Sequence, residues 1–377
     1  MNTTVEIRLP TYHRKRLLQR ALASLQSQTY PDWRCVVLDD AMDDPDAREV
    51  CLALADDRIE YRKNRTNLGV EGNIDQAFSL KHHPNAAFAC VLEDDNYYLP
   101  DFLEHNVQIV RQYDVDVVLC NMLIERPSPD AGTHKGQSTV YDNQYVTGIA
   151  TPTELWGTLF YNNGLLNSGV FWRLGRDLDF STLEMARDPI FQERLRMLCI
   201  DRPAFIDMEP KAVWRDNGEE SKRVRASGWR WRVAQVKAVA RERELYQRLY
   251  EWLKAHDATD CIWRSRFREF DVHAERVFCR VGISVPPDLA PRLPTKVRRK
   301  IALKRYAARI AAYLISDPIT YEFGESRIFA LPRRVERDLS LMSGIKHNSR
   351  GISSPHAHQR EIERSCGVSG PPNGGLA

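Results

Sequence analysis

The chain has 377 residues, of which 43% are hydrophobic, and its formal net charge is +3. This length allows a sizeable core and predicts two domains or one enlarged domain, since domains commonly take roughly 100–200 residues each. No segment approaches the roughly 18 consecutive apolar residues of a membrane span, and the first twelve residues lack the basic and apolar stretches of a secretory leader. We therefore expect a protein that starts soluble, stays in the cytoplasm and is not exported.

The eight cysteines are spread along the whole chain, without a CxxC pair and without regular spacing. This distribution argues against a zinc site and against a disulfide framework. We expect reduced and mostly buried thiols.

The first 125 residues alternate short apolar runs with helical patterns, which is typical of a βαβ sheet with parallel strands. The predicted strands are residues 5–9, 33–38, 59–63, 88–92 and 115–123, and the predicted helices are residues 14–28 and 72–80. The first helix carries an apolar stripe of Leu17, Leu18, Ala21, Leu22 and Leu25. Pro100 is expected in the first turn of the next helix, where its missing N–H costs nothing. An α/β fold follows, with a mostly parallel sheet flanked by helices.

The second half of the chain gives weaker signals. Residues 126–142 carry Pro, Gly and Ser and predict a loop, and a helical pattern lies around residues 191–198. The aromatic residues between 156 and 172 are expected mostly in the core. The predicted divisions are an α/β domain over residues 1–224, a helical and basic C-terminal extension over 225–344, and a disordered tail over 345–377.

Three polar clusters follow directly after predicted strands: Pro10-Thr11-Tyr12, Asp39-Asp40 and Glu93-Asp94-Asp95. Ligands of open parallel sheets bind in the crevice beyond the carboxyl ends of the strands. We therefore expect the three clusters to converge on one site.

The three consecutive acids supply the oxygen ligands that Mg²⁺ and Mn²⁺ prefer, and their mutual repulsion is relieved when a cation arrives. A solvated acidic turn before the Pro100 helix is the alternative interpretation, since Asp near a helix N-terminus is ordinary. The residues alone leave both interpretations open.

Five short motifs occur in order over about 100 residues. They are Pro10-Thr11-Tyr12 with Arg14, QTYPDW at 28–33, VLDDAMDD at 37–44, NLGV at 67–70 and LEDDNYYLP at 92–100. Each motif alone is weak, but their order and spacing resemble the family 2 glycosyltransferases. The resemblance implies the GT-A fold, a Rossmann-like sheet of nucleotide-diphosphosugar transferases.

The resemblance also implies roles for individual residues. The implied donor-binding residues are Pro10, Thr11, Tyr12, Asp40, Asn67, Gly69, Asp94 and Arg215. Thr11 and Tyr12 would line the nucleotide base, and Asp40 would accept from a pyrimidine N–H. Asp94 would contact the ribose or the metal shell, and Asp95 would ligate Mn²⁺ or Mg²⁺. From the residues alone, Tyr12 could equally be core, and Asp39 is expected to structure its loop.

The sequence departs from the family pattern at three places. His13 stands where Asn is usual, Ala41-Met42 replace Gly-Ser, and Glu93 replaces a frequent Asp. The first two change the loop under the base and so bear on base specificity. Glu93 keeps its charge, and we expect it to be the expendable member of the acidic triplet.

The resemblance places a general base about 90 residues after the metal motif. Asp188 stands 93 positions after Asp95 and fits this place, with Glu184 as the second candidate. Asp188 before Pro189 is also a good helix N-cap, and the two roles are compatible. The segment 167–171 (NSGVF) resembles the family region beside the acceptor. Arg215 stands where the family often closes an Arg over the diphosphate, but the usual His two residues later is absent.

The implied activity is an inverting, metal-assisted transfer of a hexosyl group from a nucleotide-diphosphosugar, with a UDP-sugar as the expected donor. The expected acceptor is a hydroxyl of a glycan, lipid-linked or other acceptor, as in polysaccharide biosynthesis. Two alternatives stay open. A nucleotidyltransferase shares the sheet and metal, but the segment 10–16 lacks the glycine-rich loop of those enzymes. A catalytically inactive nucleotide-sugar-binding module predicts loss of a key carboxylate, and Asp94, Asp95 and Asp188 are all present.

Residues 291–314 contain eight Lys or Arg and no acid. On a helical wheel Leu303, Tyr306, Ile310 and Tyr313 share one face, which is the pattern of a helix lying on anionic lipid. This predicts a peripheral contact with the inner face of the membrane; the alternative is a helix packed on the catalytic domain with a solvated basic face. We expect no nucleic-acid partner, because no nucleic-acid module is recognisable.

Overall fold

A computed structural model describes residues 3–79, 81, 83–128, 132–142, 144–160, 164–182, 189–215, 246, 249–251, 253–255, 257–263, 267, 291 and 293–314. These residues all lie in a compact unit that runs from Met1 to Pro332. The second unit, Arg333–Ala377, falls outside the described residues, and so does the predicted boundary at 224. The division into an α/β domain, an extension and a tail therefore stays a prediction.

Ten strands and eight α-helices are assigned within the described residues. The strands are β1 (Thr4–Thr11), β2 (Trp33–Asp39), β3 (Ile59–Lys63), β4 (Ala86–Val91), β5 (Tyr97–Tyr98), β6 (Val117–Ser128), β7 (Gly132–Thr139), β8 (Gly148–Ala150), β9 (Val170–Arg173) and β10 (Ala204–Arg215). The helices are α1 (Lys15–Gln26), α2 (Asp46–Leu54), α3 (Gly69–Ser79), α4 (Phe102–Tyr113), α5 (Pro152–Thr158), α6 (Pro189–Leu198), α7 (Asp260–Trp263) and α8 (Thr295–Leu314), with a 3₁₀ helix at Asn167–Gly169.

The strands form one sheet in the order β3-β2-β1-β4-β9-β6-β10-β5, with β7 on β6 and β8 on β10. Parallel pairing joins β3, β2, β1 and β4, and also joins β6 to β10. The pairs made by β9, β7, β8 and β5 are antiparallel. The predicted α/β fold is confirmed, and the sheet is mixed, with its parallel half formed by the first 91 residues.

The core lies between this sheet and the helices on it. Strand β1 is buried from Val5 to Thr11. The predicted apolar stripe of α1 is confirmed, because Leu17, Leu18, Ala21, Leu22 and Leu25 are all buried. Among the aromatic residues expected in the core, Trp156, Phe160 and Trp172 are at most 3% exposed.

Two local predictions were wrong. Residues 126–142 are not a loop, since β6 continues to Ser128 and pairs with β7 in a hairpin, with Ser128 opposite Gly132. A strand is recognised in a sequence by alternating apolar and polar residues, and this segment has too few large apolar residues to show that alternation. Pro100 is not in the first turn of α4, which begins at Phe102 after Asp101. Its carbonyl instead accepts a hydrogen bond from the Thr29 amide at 2.8 Å.

The basic C-terminal segment is helical from Thr295 to Leu314. Ile301 is buried, whereas Leu303 and Tyr306 are 69% and 66% exposed. The side chains of Ile310 and Tyr313 lie outside the described residues. No helix in the described part of the chain has both the length and the apolar content needed to cross a bilayer.

Candidate active site

The three polar clusters that follow β1, β2 and β4 meet at one edge of the sheet, as the order of these neighbouring strands requires. All of their residues except Asp39 line a cleft of about 410 Å³. Its lining consists of Pro10, Thr11, Tyr12, Arg14, Asp40, Asn67, Gly69, Val70, Asn73, Ile74, Glu93, Asp94 and Asp95. The predicted convergence is thus confirmed, and the cleft has the concave, mixed lining of a small-molecule site.

Asp94 lies at the floor of the cleft and is 4% exposed. Its Oδ2 accepts the Thr11 hydroxyl at 2.8 Å and the Tyr12 amide at 3.4 Å, which joins the end of β1 to the acidic loop after β4. Burial raises the pKa of Asp94 to about 6; the Arg14 charge opposes this shift and the Asp95 charge adds to it.

Arg14 bridges the two carboxylates with a single nitrogen. Its Nη1 donates to Asp94 Oδ1 at 2.9 Å and to Asp95 Oδ2 at 2.8 Å. The two adjacent aspartates therefore already converge on one positively charged atom. This is the donor set that Mg²⁺ and Mn²⁺ use beside phosphate, with one or two carboxylates completed by phosphate oxygens and water. Within the described residues no group of three or more His, Cys, Asp or Glu forms a metal cage.

Asp40, after β2, is held from one side. Its Oδ1 accepts the Asn64 side-chain amide at 2.9 Å and the Leu68 backbone amide at 2.7 Å. The carboxylate is 2% exposed and lines the cleft. Asp39 has a different use, because its two oxygens accept from the Ala41 amide and the Tyr61 hydroxyl and so fix the loop.

Asn67 and Gly69 close the cleft above Asp40. The Asn67 side-chain amide donates to the Asp40 carbonyl at 3.2 Å, and its Oδ1 accepts from the Gly69 amide at 3.0 Å. Gly69 begins α3 with a φ of +72°, a conformation that glycine adopts at little cost.

Tyr12 is 50% exposed at the mouth of the cleft, which excludes the alternative that it is a core residue. Its ring meets the ring of His13 edge-on, with centroids 4.3 Å apart. His13 has a φ of +52° and bonds to the Asp44 carboxylate. Asn and His are both enriched in this left-handed region, which explains why His13 can stand where the resembling family has Asn.

Glu93 ties the acidic loop to the 3₁₀ helix. Its amide donates to Ser168 Oγ at 3.0 Å, and its carboxylate accepts from the side-chain amides of Asn96 and Asn167 at 3.2 and 3.3 Å. Burial raises the pKa of Glu93 to about 7, and the Asp95 charge adds to the shift. The sequence did not indicate these contacts, and the expectation that Glu93 is expendable stays a prediction.

Arg215 is not among the described residues that line the cleft, and the predicted general base cannot be placed. Asp188 and the second candidate Glu184 fall outside the described residues; helix α6 begins at the next residue, Pro189. Arg215 ends β10, where its amide donates to the Asn96 side chain at 3.3 Å.

Sequence reasoning also missed cleft residues of α3. Asn73 donates to the Leu38 and Thr11 carbonyls at 3.0 and 3.4 Å, and its Oδ1 accepts from Asn64. A buried polar residue on the apolar face of a helix was the signal that could have identified it.

Comparison with known proteins agrees with this geometry. Residues 7–175 match the model of "Glycosyl transferase family 2". The chain is 26% identical over 198 residues to the "Putative colanic acid biosynthesis glycosyl transferase WcaA" of Escherichia coli (strain K12). That match covers 50% of this chain and 64% of the relative, so it spans somewhat less than two thirds of the relative's length.

Among solved structures, the crystal structure of S. aureus TarS 1-349 superposes with a TM-score of 0.51 at 14% identity, and covers 83% of this chain and 91% of that one. At this identity the likeness concerns the fold. Residues 7–175 thus resemble glycosyl transferase family 2, and the chain shares the GT-A fold of the solved structure that it matches.

Proposed function

We propose that this protein is an inverting hexosyltransferase that moves a sugar from a nucleoside diphosphate sugar, a UDP-sugar above others, to a hydroxyl of a glycan or lipid-linked acceptor. The observation that carries the proposal is the cleft itself. At one end it has the half-exposed Tyr12 ring and the buried Asp40 carboxylate. At the other end the Asp94 and Asp95 carboxylates both accept hydrogen bonds from the Arg14 guanidinium. A nucleoside needs the first end and a diphosphate with its metal needs the second.

At the nucleoside end, defined by Thr11, Tyr12, Asp40, Asn67 and Gly69, the Tyr12 ring is free to stack on a base. Stacking of a base on an aromatic side chain contributes about 1–3 kcal/mol. Asp40 uses Oδ1 for Asn64 and Leu68, and its Oδ2 is the atom proposed to accept from a pyrimidine N–H. The proposed preference for uracil depends on this one acceptor.

At the phosphate end, defined by Asp94, Asp95 and Arg14, Asp95 would hold Mn²⁺ or Mg²⁺ with Asp94 beside it. The bound cation would neutralise the charge that develops on the departing diphosphate. Arg14 lies between the two carboxylates and hydrogen-bonds to both of them. If the metal displaces its guanidinium from this position, the positive charge of Arg14 would also stabilise the diphosphate. Thr11 orients Asp94 through its hydroxyl.

The proposed chemistry is a single displacement. The acceptor oxygen forms a bond to the anomeric carbon while the bond from that carbon to the diphosphate oxygen breaks, and the diphosphate leaves with the electron pair. The acceptor proton passes to the Asp188 carboxylate, the base that the family resemblance suggests. A carboxylate needs hydrogen-bond reach of the hydroxyl for this role. One displacement inverts the anomeric configuration.

The acceptor and the location rest on other observations. The relative's name refers to colanic acid biosynthesis, and this supports a glycan acceptor and a role in polysaccharide biosynthesis. The exposed Leu303 and Tyr306 on the basic helix α8 support a peripheral contact with anionic lipid on the cytoplasmic side of the membrane.

Hydrolysis of a panel of nucleotide sugars, measured as release of nucleoside diphosphate with and without Mn²⁺ or Mg²⁺, tests the proposal. We expect metal-dependent turnover of one donor and none with Asp95→Ala. Turnover without metal, or an active Asp95→Ala protein with unchanged metal dependence, would contradict the mechanism.

A further inference from the structure

The loop between β1 and α1 sends its side chains in two directions. Tyr12 and Arg14 line the cleft, whereas His13, which stands between them, is not part of the lining. The imidazole of His13 turns instead to the loop before α2, where its Nδ1 lies 2.5 Å from Oδ2 of Asp44. His13 is therefore outside the cleft, yet it is joined through the backbone to two residues that line it.

The backbone of His13 has a conformation that needs support from its surroundings. Its φ of +52° lies in the left-handed region, which a residue with a side chain adopts at a cost in free energy. Strained conformations of this kind persist where neighbouring contacts determine them. The contact with Asp44 supplies such support, and the bend at His13 sets the direction of the adjacent Tyr12.

Asp44 is itself held in place. Its Oδ1 accepts a hydrogen bond at 2.8 Å from the amide of Asp46, the first residue of α2, which leaves Oδ2 for His13. The hydrogen bond from Asp46, and after it the one with His13, lower the pKa of Asp44. The Asp44 carboxylate therefore stays ionised at neutral pH and presents a fixed negative charge to the imidazole.

Lys15 makes a second connection between the same two segments. Its Nζ donates to Asp46 at 2.8 Å and to Glu49 at 2.9 Å, and these hydrogen bonds raise the pKa of Lys15. Of the residue types in these contacts, only histidine ordinarily changes its charge between pH 5 and 8. The charged groups on residues 12–15 and 43–46, which surround His13, are Arg14, Lys15, Asp43, Asp44 and Asp46.

The Tyr12 ring is the part of the cleft that His13 contacts. The two rings meet edge-to-face, with an angle of 74° between their planes and 4.3 Å between their centroids. Aromatic rings attract each other in this arrangement. Because the Tyr12 ring is half exposed, protein groups fix it only in part, and its orientation depends on where the imidazole is held.

We propose that His13 is a positioning residue for the nucleoside: paired with Asp44, it holds the Tyr12 ring in the orientation that stacks on the base, and it does so more firmly when the imidazole is protonated. The inference rests on the proposed function, since it requires that a base binds at Tyr12. An imidazolium attracts the carboxylate by its charge as well as by a hydrogen bond, whereas the neutral ring keeps only the hydrogen bond. The contribution of His13 to donor affinity therefore decreases as the pH rises from about 6 to about 8.

A double-mutant cycle at two pH values tests the pairing. The cycle compares wild type, His13→Asn, Asp44→Asn and the double variant in calorimetric titrations with UDP at constant Mg²⁺, at pH 6 and at pH 8. Asn tolerates the left-handed region, so His13→Asn is expected to fold, and thermal melting checks each protein. The acidic loop titrates in the same range, but its effect is common to all four proteins and cancels in the cycle.

We expect His13→Asn to weaken UDP binding at pH 6 by about three- to fivefold, the upper part of the range for partly exposed ion pairs. Asp44→Asn should cause a similar loss, and the double variant should lose little more than either single variant. At pH 8 the coupling between the two positions should fall below about twofold. His105→Asn is the matched control, because His105 forms a pair with Asp207 at 2.7 Å with similar exposure of the imidazole and lies outside the cleft lining.

The Tyr12→Ala background separates positioning of the ring from a general effect on the loop. If His13 acts through Tyr12, His13→Asn should weaken UDP binding in wild type but cause no further loss in Tyr12→Ala. The same loss in both backgrounds, or UDP binding like wild type in His13→Asn at both pH values, would overturn the positioning role. Equal coupling at pH 6 and pH 8 would overturn its dependence on protonation. A wild-type protein that binds no UDP at either pH contradicts the proposed function and this inference together.

Discussion

The nucleoside end and the phosphate end of the cleft differ in how completely the protein satisfies its own polar groups. At the nucleoside end, Asn64 donates to both Asp40 and Asn73, and Asn73 holds two strand-end carbonyls. At the phosphate end, Asp94 and Glu93 have raised pKa values. Beyond them, the Nε atoms of Arg20 and Arg215 are buried without hydrogen-bond partners among the described residues. The first end is preformed, while the second is built around charges that a ligand would complete.

This contrast predicts large effects on turnover from the phosphate end and smaller effects on binding from the nucleoside end. An effect on turnover larger than either is expected at Asp188, the proposed general base, which lies outside the described residues. Asp188→Asn should lower kcat by about 10²–10⁴-fold with little change in donor affinity, because a general base contributes this much to the rate. Glu184→Gln is the matched control. If Glu184→Gln is the inactive protein and Asp188→Asn is active, the base has been assigned to the wrong carboxylate.

The second prediction concerns Asp95. Asp95→Asn should lower metal-dependent donor turnover by about 10²–10³-fold, the typical cost of losing one electrostatic contact to a transition state. It should also weaken Mn²⁺ binding, measured by electron paramagnetic resonance. Asp46→Asn, a surface carboxylate on α2 paired with Lys15, is the control. Equal metal affinity in Asp95→Asn and Asp46→Asn would count against Asp95 as the ligand.

The third prediction uses the raised pKa of Asp94, about 6 in the folded protein. Below the ordinary pKa of an aspartate, Asp94 is protonated in both the folded and the unfolded state. The unfolding free energy is therefore not reduced by this group at such pH values. As the pH rises from about 4 to about 6, the unfolded state ionises first and the metal-free protein loses about 2–3 kcal/mol of unfolding free energy from this group.

Urea unfolding in EDTA at a series of pH values measures this loss. In Asp94→Asn the decrease between pH 4 and 6 should be smaller by that amount, while the contribution of Glu93 up to about pH 7 remains. Identical pH profiles in the two proteins would show that the acidic loop is not strained by its own charges.

The smallest effect is expected at Tyr12. Tyr12→Ala should weaken nucleoside diphosphate binding by about tenfold through lost stacking, with the stability nearly unchanged because the side chain is half exposed. Leu52→Ala, at an exposed position of α2, is the control. A stability loss in Tyr12→Ala without a binding loss would mean that the ring serves the loop and not the base.

The sequence was sufficient for the parallel half of the molecule, because short apolar strands and the polar residues after them carry a local signal. Thr11, Asp40 and Asp94 could be placed together from their positions along the chain, since neighbouring parallel strands end at one edge. The contacts of Arg14 with Asp94 and Asp95 could not be predicted, because an arginine just before a helix is ordinarily expected in solvent.

The pairing of β5, β6 and β10 was less accessible still. These strands pair across long stretches of chain, and such non-local pairing leaves no periodic trace in the sequence. The β6–β7 hairpin was missed for a related reason, since backbone pairing alone does not alter composition.

The contacts of Glu93 have a thermodynamic consequence for the two substrates. Its amide and its carboxylate hold Ser168 and Asn167, in the segment that resembles the family's acceptor side, while its neighbours Asp94 and Asp95 line the cleft proposed to bind the donor. A displacement of the acidic loop therefore also moves the 3₁₀ helix. Linkage is reciprocal: if a bound donor changes the affinity for the acceptor by some factor, a bound acceptor changes the affinity for the donor by the same factor.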